Sequence, residues 1–316
     1  MIDAFGDEAA GKLEKIGHAF PNPQYPGRQG RGRAVAMNYR HAFHAGNFAD
    51  VAKHLALVTA ILHLRKKDKP FFVLDTHGGC GRYDLAADAA QRTGEAEAGI
   101  ERLRVLAGRQ DLPEALAAYL EIVAQEGAGF YPGSPLIAAR LLRPQDRLVA
   151  IEKHPEDAAA LRAALKPFPN TKAEEADGYR RMTALLPPPE RRGLVLIDPP
   201  YEAPDEFETA AEALTAAWHR FATGIYMLWF PIKSQAAADA FCGEVLAAGI
   251  TKALRIDIEI GTPPRDAKER LTAAGLMVVN PPYGLDTQMR AAAGLLAERM
   301  GEGTRLSVVW LAGEGR

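Results

Sequence analysis

The chain has 316 residues, 47% hydrophobic and 25% charged, with a formal net charge of -2. That balance suits one large domain with an insertion, or two domains, and excludes a polycation, so any nucleic-acid binding has to come from a local patch. Cys80 and Cys242 have no paired spacing, no apolar run reaches membrane-spanning length, and the start MIDAFGDEAAGKLEKIGHAF lacks signal-peptide character; the expectation is a reduced, cytoplasmic protein without disulfides, zinc ribbon or membrane span.

Residues 1–36 include PNPQYPGRQGRGR, which offers almost nothing to bury. They read as a poorly ordered tail, either a neutral extension or an RNA-binding arm. The folded domain is expected over 37–316. Its first stretch, MNYRHAFHAGNFADVAKH (37–54), carries His41, His44 and His54 around Asp50. A metal site there is disfavoured by irregular spacing and the lack of a Cys; a capped, hydrogen-bonded segment folded over a site is the stronger reading. DVAKHLALVTAILHLRKK (50–67) has apolar residues at helical spacing and ends in cations, which suit a helix C-terminus.

Strands alternate with helices from there. PFFVLDTHGG (70–79) is a buried strand entering a glycine loop. From Gly81 to Arg147 no strand is evident; residues 84–133 read as a helical insertion with Leu112, Leu116, Leu120 and Val123 on one face. RLVAIEKHP (147–155), a weak TKAEEADGY (171–179), GLVLIDPPY (193–201), GIYMLWFPI (224–232), ALRIDIEI (253–260), GLMVVN (275–280) and RLSVVWLAG (305–313) follow, with Ala-rich helices at 156–166 and 206–221 between them. The pattern predicts an α/β fold, a mostly parallel, doubly wound, Rossmann-like sheet with one antiparallel strand, 275–280, and the insertion after the first strand.

In such sheets ligands sit beyond the carboxyl ends of the strands. Asp75 ends the first strand, Glu152 the second, and Asp177-Gly178 follows the third. Each alone is as well read as a solvated loop acid. In series, Glu152 can accept from both hydroxyls of a ribose and Asp177 from the amine of an adenine, which reads as S-adenosylmethionine bound across the sheet edge. The next strand ends in Asp198-Pro199-Pro200-Tyr201. Asp198 and the Pro199 carbonyl form a pair of acceptors for a planar amine, the prolines donate no N–H, and Tyr201 can stack on a base. A second copy of the string, Asn280-Pro281-Pro282-Tyr283, follows the antiparallel strand, so it is expected at the opposite rim as a strand terminator.

YRHAFHAGNFADVAKH, LDTHGGCGRYDL, RTGE, YPGSPLIAARLL, ADGY, RRGLVLIDPPYE, RFATGIYMLWFP and NPPYGLDTQM together resemble the RlmJ family of bacterial 23S ribosomal RNA methyltransferases, over about 37–316. The resemblance implies a class I methyltransferase fold, S-adenosylmethionine as methyl donor, no metal, and N6 of one adenine of 23S ribosomal RNA as acceptor. It implies cofactor contacts at Lys53 or His54, His77, Ser134, Glu152, Asp177 and Gly178, catalysis by Asp198, and substrate contact by Tyr39. On this reading the 37–54 segment becomes a lid over cofactor and base. His77 stands where many methyltransferases have the first glycine of the loop.

RNA contacts are expected from Arg40, Lys66, Lys67, Arg180, Arg181, Arg191 and Arg192, each of which is equally well a solvated surface charge, and the chain is expected to be monomeric. Two rivals stand beside this reading. One is the same chemistry on DNA adenine or a protein glutamine; the other is a non-enzymatic nucleic-acid-binding protein with a relic cofactor pocket.

Overall fold

The computed structural model describes residues 44–87, 94–261 and 271–313. The N-terminal tail and Tyr39, Arg40 and His41 lie outside them. The main sheet has eight strands in the order β10-β8-β9-β7-β6-β1-β4-β5. They are β1 (Phe72–Asp75), β4 (Arg147–Glu152), β5 (Thr171–Glu175), β6 (Gly193–Ile197), β7 (Ile225–Pro231), β8 (Ala253–Glu259), β9 (Ala273–Val279) and β10 (Arg305–Ala312). β1 pairs in parallel with β4 and β6, β4 with β5, and β6 with β7. β9 runs antiparallel between β7 and β8, as expected for 275–280.

Two features depart from the expectation. β10 is also reversed, pairing antiparallel with β8, so the sheet has two reversed strands instead of one. The helix Leu285–Met300 carries the chain back after β9, so β10 starts from the same end as β9. The stretch from Gly81 to Arg147 is not free of strand either. β2 (Arg82–Asp84) and β3 (Phe130–Pro132) pair antiparallel and bracket the insertion. Three residues are too few for alternation to register in a sequence. Between them lie the helices Glu95–Ala98, Ile100–Arg104 and Glu114–Gln125; Leu116, Leu120 and Val123 are buried, while Leu112 precedes the last helix and is half-buried.

Alternation along the central strands shows why both faces are covered. Val73, Leu194 and Leu196 point to one core, and Phe72, Leu74, Val195 and Ile197 to the other. Each such side chain contributes about 1.5–3 kcal/mol on burial. The first core is built around helix α1 (Phe48–Arg65), buried on almost every face through Leu55, Val58 and Ile61. Asn47 caps α1 by accepting from Asp50 N, and His63 and Arg65 occupy its last turn. α1 therefore runs from one rim of the sheet to the other. Among the described residues no helix is long and apolar enough to cross a membrane.

Candidate active site

Four neighbouring parallel strands, β6, β1, β4 and β5, deliver Asp198, Asp75, Glu152 and Asp177 to one rim. The loop after β1 ties them together. Thr76 N and its hydroxyl both donate to Leu196 O, at 3.0 and 3.1 Å, and Gly78 N donates to Ile151 O at 2.7 Å. The loop thus bridges β6 and β4. Glu152 fixes it by accepting from Gly79 N at 2.9 Å and from His154 N at 2.7 Å.

Gly178 is required by close approach: a Cβ there would lie 2.0 Å from Thr76 O. The helix Gly178–Leu185 consequently starts against the β1 loop. Asp177 caps it, accepting from Arg180 N at 3.2 Å, with Lys153 Nζ also at 3.2 Å. Burial pushes the Asp177 carboxyl up, but the Arg180 N–H and the Lys153 ammonium more than offset this and hold it below its ordinary value.

His77 lies 2.8 Å from the Thr76 hydroxyl and edge-on to Tyr179 at 5.0 Å. Burial pushes its pKa down to about 4, so the ring is neutral at pH 7. Asp75 is pushed up to about 6, mainly by burial and further by Asp198, with the Ser134 hydroxyl opposing as a donor. Ser134 is the first residue of the helix Ser134–Leu141, so that helix start meets the end of β1.

The most constrained contact lies at Asp198. Lys53, in the second turn of α1, places its ammonium 2.5 Å from Asp198 Oδ2 and 2.7 Å from Asp50 Oδ1. The Lys53, Asp198 and Asp50 side chains are 3%, 12% and 2% exposed. Asp50 also accepts from Gly46 N at 2.9 Å. Burial would lower the Lys53 pKa, but Asp198 and Asp50 overcome it and raise it. A buried cation shared by two carboxylates holds all three side chains in place.

Of the two α1 residues expected near the cofactor, Lys53 shares its ammonium between Asp198 and Asp50. His54, one residue on, turns into the core: it is 1% exposed, 2.6 Å from the Tyr131 hydroxyl and stacked on that ring at 5.6 Å. Its Nε2 lies 3.9 Å from Asp50 Oδ1, so Lys53 and His54 both flank that carboxylate.

Pro199 is buried beside Asp198. Tyr201 adopts a left-handed φ of 50°. Its hydroxyl donates to Trp229 O at 2.8 Å, and its ring packs on Phe207 at 4.5 Å and Trp229 at 5.8 Å. It is a fixed wall of the site. Asn280 has the position expected of a terminator. β9 pairs Val279 with Tyr226 at the start of β7, the rim opposite Asp198, and the Asn280 amide donates to Ala222 O and Gly224 O, both at 2.8 Å.

Of the cations expected to meet RNA, Arg181 pairs with Glu174, and Arg192 donates to the carbonyls of Leu64 and Lys69. His44 bonds Glu95 at 3.0 Å, and among the described residues no group of three His, Cys, Asp or Glu has a metal-binding arrangement. Sequence reasoning missed Asp50 as the second anchor of Lys53 and Trp229 as the anchor of Tyr201. The three-residue spacing of Asp50 and Lys53 on a helix was a usable signal for the first; nothing local announced the second.

The family model described as "Ribosomal RNA large subunit methyltransferase D, RlmJ" matches residues 68–312. The chain belongs to the RlmJ family. It is 43% identical over 257 residues to ribosomal RNA large subunit methyltransferase J of Escherichia coli (strain K12), covering 80% of this chain and 90% of that one. It is 41% identical over 285 residues to the protein of the same name from Haemophilus influenzae, covering 88% and 100%. The crystal structure of protein LPL1258 from Legionella pneumophila matches at a TM-score of 0.75 and 34% identity, covering 86% of this chain and 99% of that one. The RlmJ chain therefore has the class I methyltransferase fold, with the sheet, helical insertion and reversed strands described above.

That fold implies S-adenosylmethionine, and the donor set fits it. Asp75, Asp177 and Asp198 bring carboxylates to the rim where a cationic cofactor would lie, two of them paired with Lys153 and Lys53, and burial keeps His77 neutral there at pH 7. Glu152 is half-buried at the end of β4, and its carboxylate, already aligned by two N–H donors, keeps acceptor capacity for ribose hydroxyls.

Proposed function

We propose that this RlmJ-family enzyme transfers a methyl group from S-adenosylmethionine to N6 of one adenine in 23S ribosomal RNA. The observation that carries the proposal is Asp198, held by the buried Lys53 at the rim shared with Asp75, Glu152 and Asp177. S-adenosylmethionine, when bound, supplies an electrophilic methyl on a sulfonium. Glu152 accepts from the ribose, Asp177 from the adenine amine of the cofactor, and His77, Ser134 and Gly178 shape the pocket around it. The role of Lys53 shifts from cofactor contact to fixing Asp198.

The target adenine amine donates its two N–H groups to Asp198 and to the Pro199 carbonyl. Its lone pair is delocalised into the ring, so it needs alignment more than a strong base. Acceptors on both hydrogens draw the nitrogen toward tetrahedral geometry and aim it at the methyl. With the cofactor bound, the nitrogen would take the methyl as the methyl–sulfur bond breaks, S-adenosylhomocysteine would leave as the neutral thioether, and Asp198 would accept the nitrogen's surplus proton and pass it to solvent. Pro199 and Pro200 present no N–H to compete. Tyr201 forms the wall on which the base lies; the family resemblance adds a substrate contact at Tyr39, which lies outside the described residues. No residue role calls for a metal, so transfer continues in chelator. The proposal places the enzyme in the cytoplasm as a monomer, in keeping with the free Cys80 and Cys242.

The test is transfer of labelled methyl from S-adenosylmethionine to protein-free large-subunit RNA from cells lacking the activity, followed by nucleoside mapping. The expected product is N6-methyladenine at one position of 23S ribosomal RNA. Label absent from adenine, or placed on DNA or a protein glutamine instead, contradicts the proposal.

A further inference from the structure

The second Pro-Pro string takes no part in this reaction, yet it borders a cavity of about 860 Å³, within the range of ligand sites. The cavity lies at the rim where β7 and β8 begin, opposite Asp198. Its walls come from the end of α1, from Lys252 just before β8, from the start of the helix Leu285–Met300 and from Trp310 on β10. Lys66, Lys252 and Arg290 bring three cations against Glu114 and Asp286, and Asp286 already accepts from Trp310 Nε1 at 3.4 Å. Three lining cations thus face two carboxylates, and after burial the charges of Lys66, Arg192 and Lys67 hold His63 below its ordinary pKa, against a bond to the Tyr283 backbone.

Tyr283 stands over this cavity and is 88% exposed, although large aromatic rings usually find cover. Its turn is rigid. Asn280 is tied by its amide to Ala222 O and Gly224 O, two prolines follow, and Leu285 N donates to Pro282 O at 3.1 Å. An exposed ring on a tethered turn beside cations is an arrangement by which proteins take unpaired bases and their phosphates.

We propose that this cavity is a second RNA-contacting site, in which Tyr283 stacks on an unpaired base while Lys66, Lys252 and Arg290 hold neighbouring phosphates. The inference rests on the reading that the substrate is RNA. α1 sets the span between the two sites. Lys53 and Lys66 are thirteen residues apart along it, about 20 Å at the helical rise. α1 is buried, so a strand has to pass around it, and at about 3.4 Å per nucleotide step the adenine at Asp198 and the base at Tyr283 lie at least roughly six steps apart. The site thus selects RNA that is unpaired some distance from its target.

The experiment uses the full chain, the same large-subunit RNA, and a ten-nucleotide single-stranded RNA probe carrying a photoreactive base. In Tyr283→Ala the KM for large-subunit RNA rises about 5- to 100-fold, the loss expected for one stacked base, while kcat and cofactor affinity stay unchanged. In Lys66→Ala/Arg290→Ala the logarithmic salt dependence of RNA binding becomes shallower by about 0.7 per cation removed. The probe crosslinks to Tyr283. Unchanged KM and salt dependence in both variants overturn the proposal. So does weakened binding of a preassembled ribosomal particle with naked RNA unaffected, which would assign the cavity to a protein. Binding and crosslinking do not need methyl transfer. If they succeed while no adenine is methylated, the reaction assignment fails and the RNA site stands; if methylation succeeds and they fail, the reverse holds.

Discussion

The chain carries one string twice, Asp198-Pro199-Pro200-Tyr201 and Asn280-Pro281-Pro282-Tyr283, and folds the copies into opposite roles. The first follows a parallel strand and reaches the rim shared by four carboxylates; the second follows a reversed strand and reaches the other rim. Asp198 meets a buried ammonium, while Asn280 donates its amide to two backbone carbonyls. Tyr201 is packed on Phe207 and Trp229, and Tyr283 is bare. The left-handed residue is the last of the first copy and the first of the second, with φ of 50° at Tyr201 and 51° at Asn280. Strand direction and neighbours, more than the four letters, decide what such a motif does.

The comparison breaks most easily at Lys53. Lys53→Met leaves Asp50 and Asp198 buried without their shared cation, and urea unfolding should show a loss of about 3–5 kcal/mol. A loss under 1 kcal/mol would mean that the ammonium does not hold the site. The tyrosines give the next contrast. Tyr201→Ala should cost about 3–4 kcal/mol by emptying the space between Phe207 and Trp229, whereas Tyr283→Ala should stay within about 0.5 kcal/mol. Equal costs would erase the distinction between wall and exposed ring.

Two neighbouring groups at the Asp198 rim titrate in opposite senses. Asp75 has a folded pKa raised to about 6 from 3.8, so the fold favours its protonated form, and stability is lost as pH rises from about 4 to 6. The shift corresponds to something on the order of 3 kcal/mol. His77 has a folded pKa lowered to about 4 from 6.5, so its contribution is present above 6.5 and lost as pH falls toward 4. The two slopes oppose each other in the same window. Asp75→Asn should therefore expose stability that rises with pH, and His77→Asn stability that falls with it, by denaturation across pH 4 to 7. Parallel profiles would contradict the assigned environments. Asn280→Ala falls below Lys53→Met and Tyr201→Ala: it frees two carbonyls and puts Ala at positive φ, costing about 1–3 kcal/mol of stability by urea unfolding.

Much of this was legible in the sequence. Long apolar runs such as those ending at Asp75 and Asp198 announced their strands, and the order of strand-end acids separated Asp198 from Asn280 before any coordinates. The link GTPPRDAKERLTAA (261–274) opens on Pro-Pro, is heavily charged and does not read as a crossover helix, which makes a hairpin-like return and a reversed β9 the expected outcome. What stayed hidden was short or distant. β2 and β3 are three residues each, and the reversal of β10 depends on where the preceding helix returns the chain. The Lys53–Asp198 contact joins residues 145 apart, which no local pattern encodes.

Single-turnover methyl transfer to 23S ribosomal RNA by Asp198→Ala and Asn280→Ala, each at saturating cofactor and RNA, tests the central claim most directly. The account predicts a fall of at least about 10²–10³ for Asp198→Ala, the scale of losing one aligned transition-state contact, and a rate within a few-fold of wild type for Asn280→Ala. Undiminished transfer in the first, or abolished transfer in a folded Asn280→Ala, would contradict it.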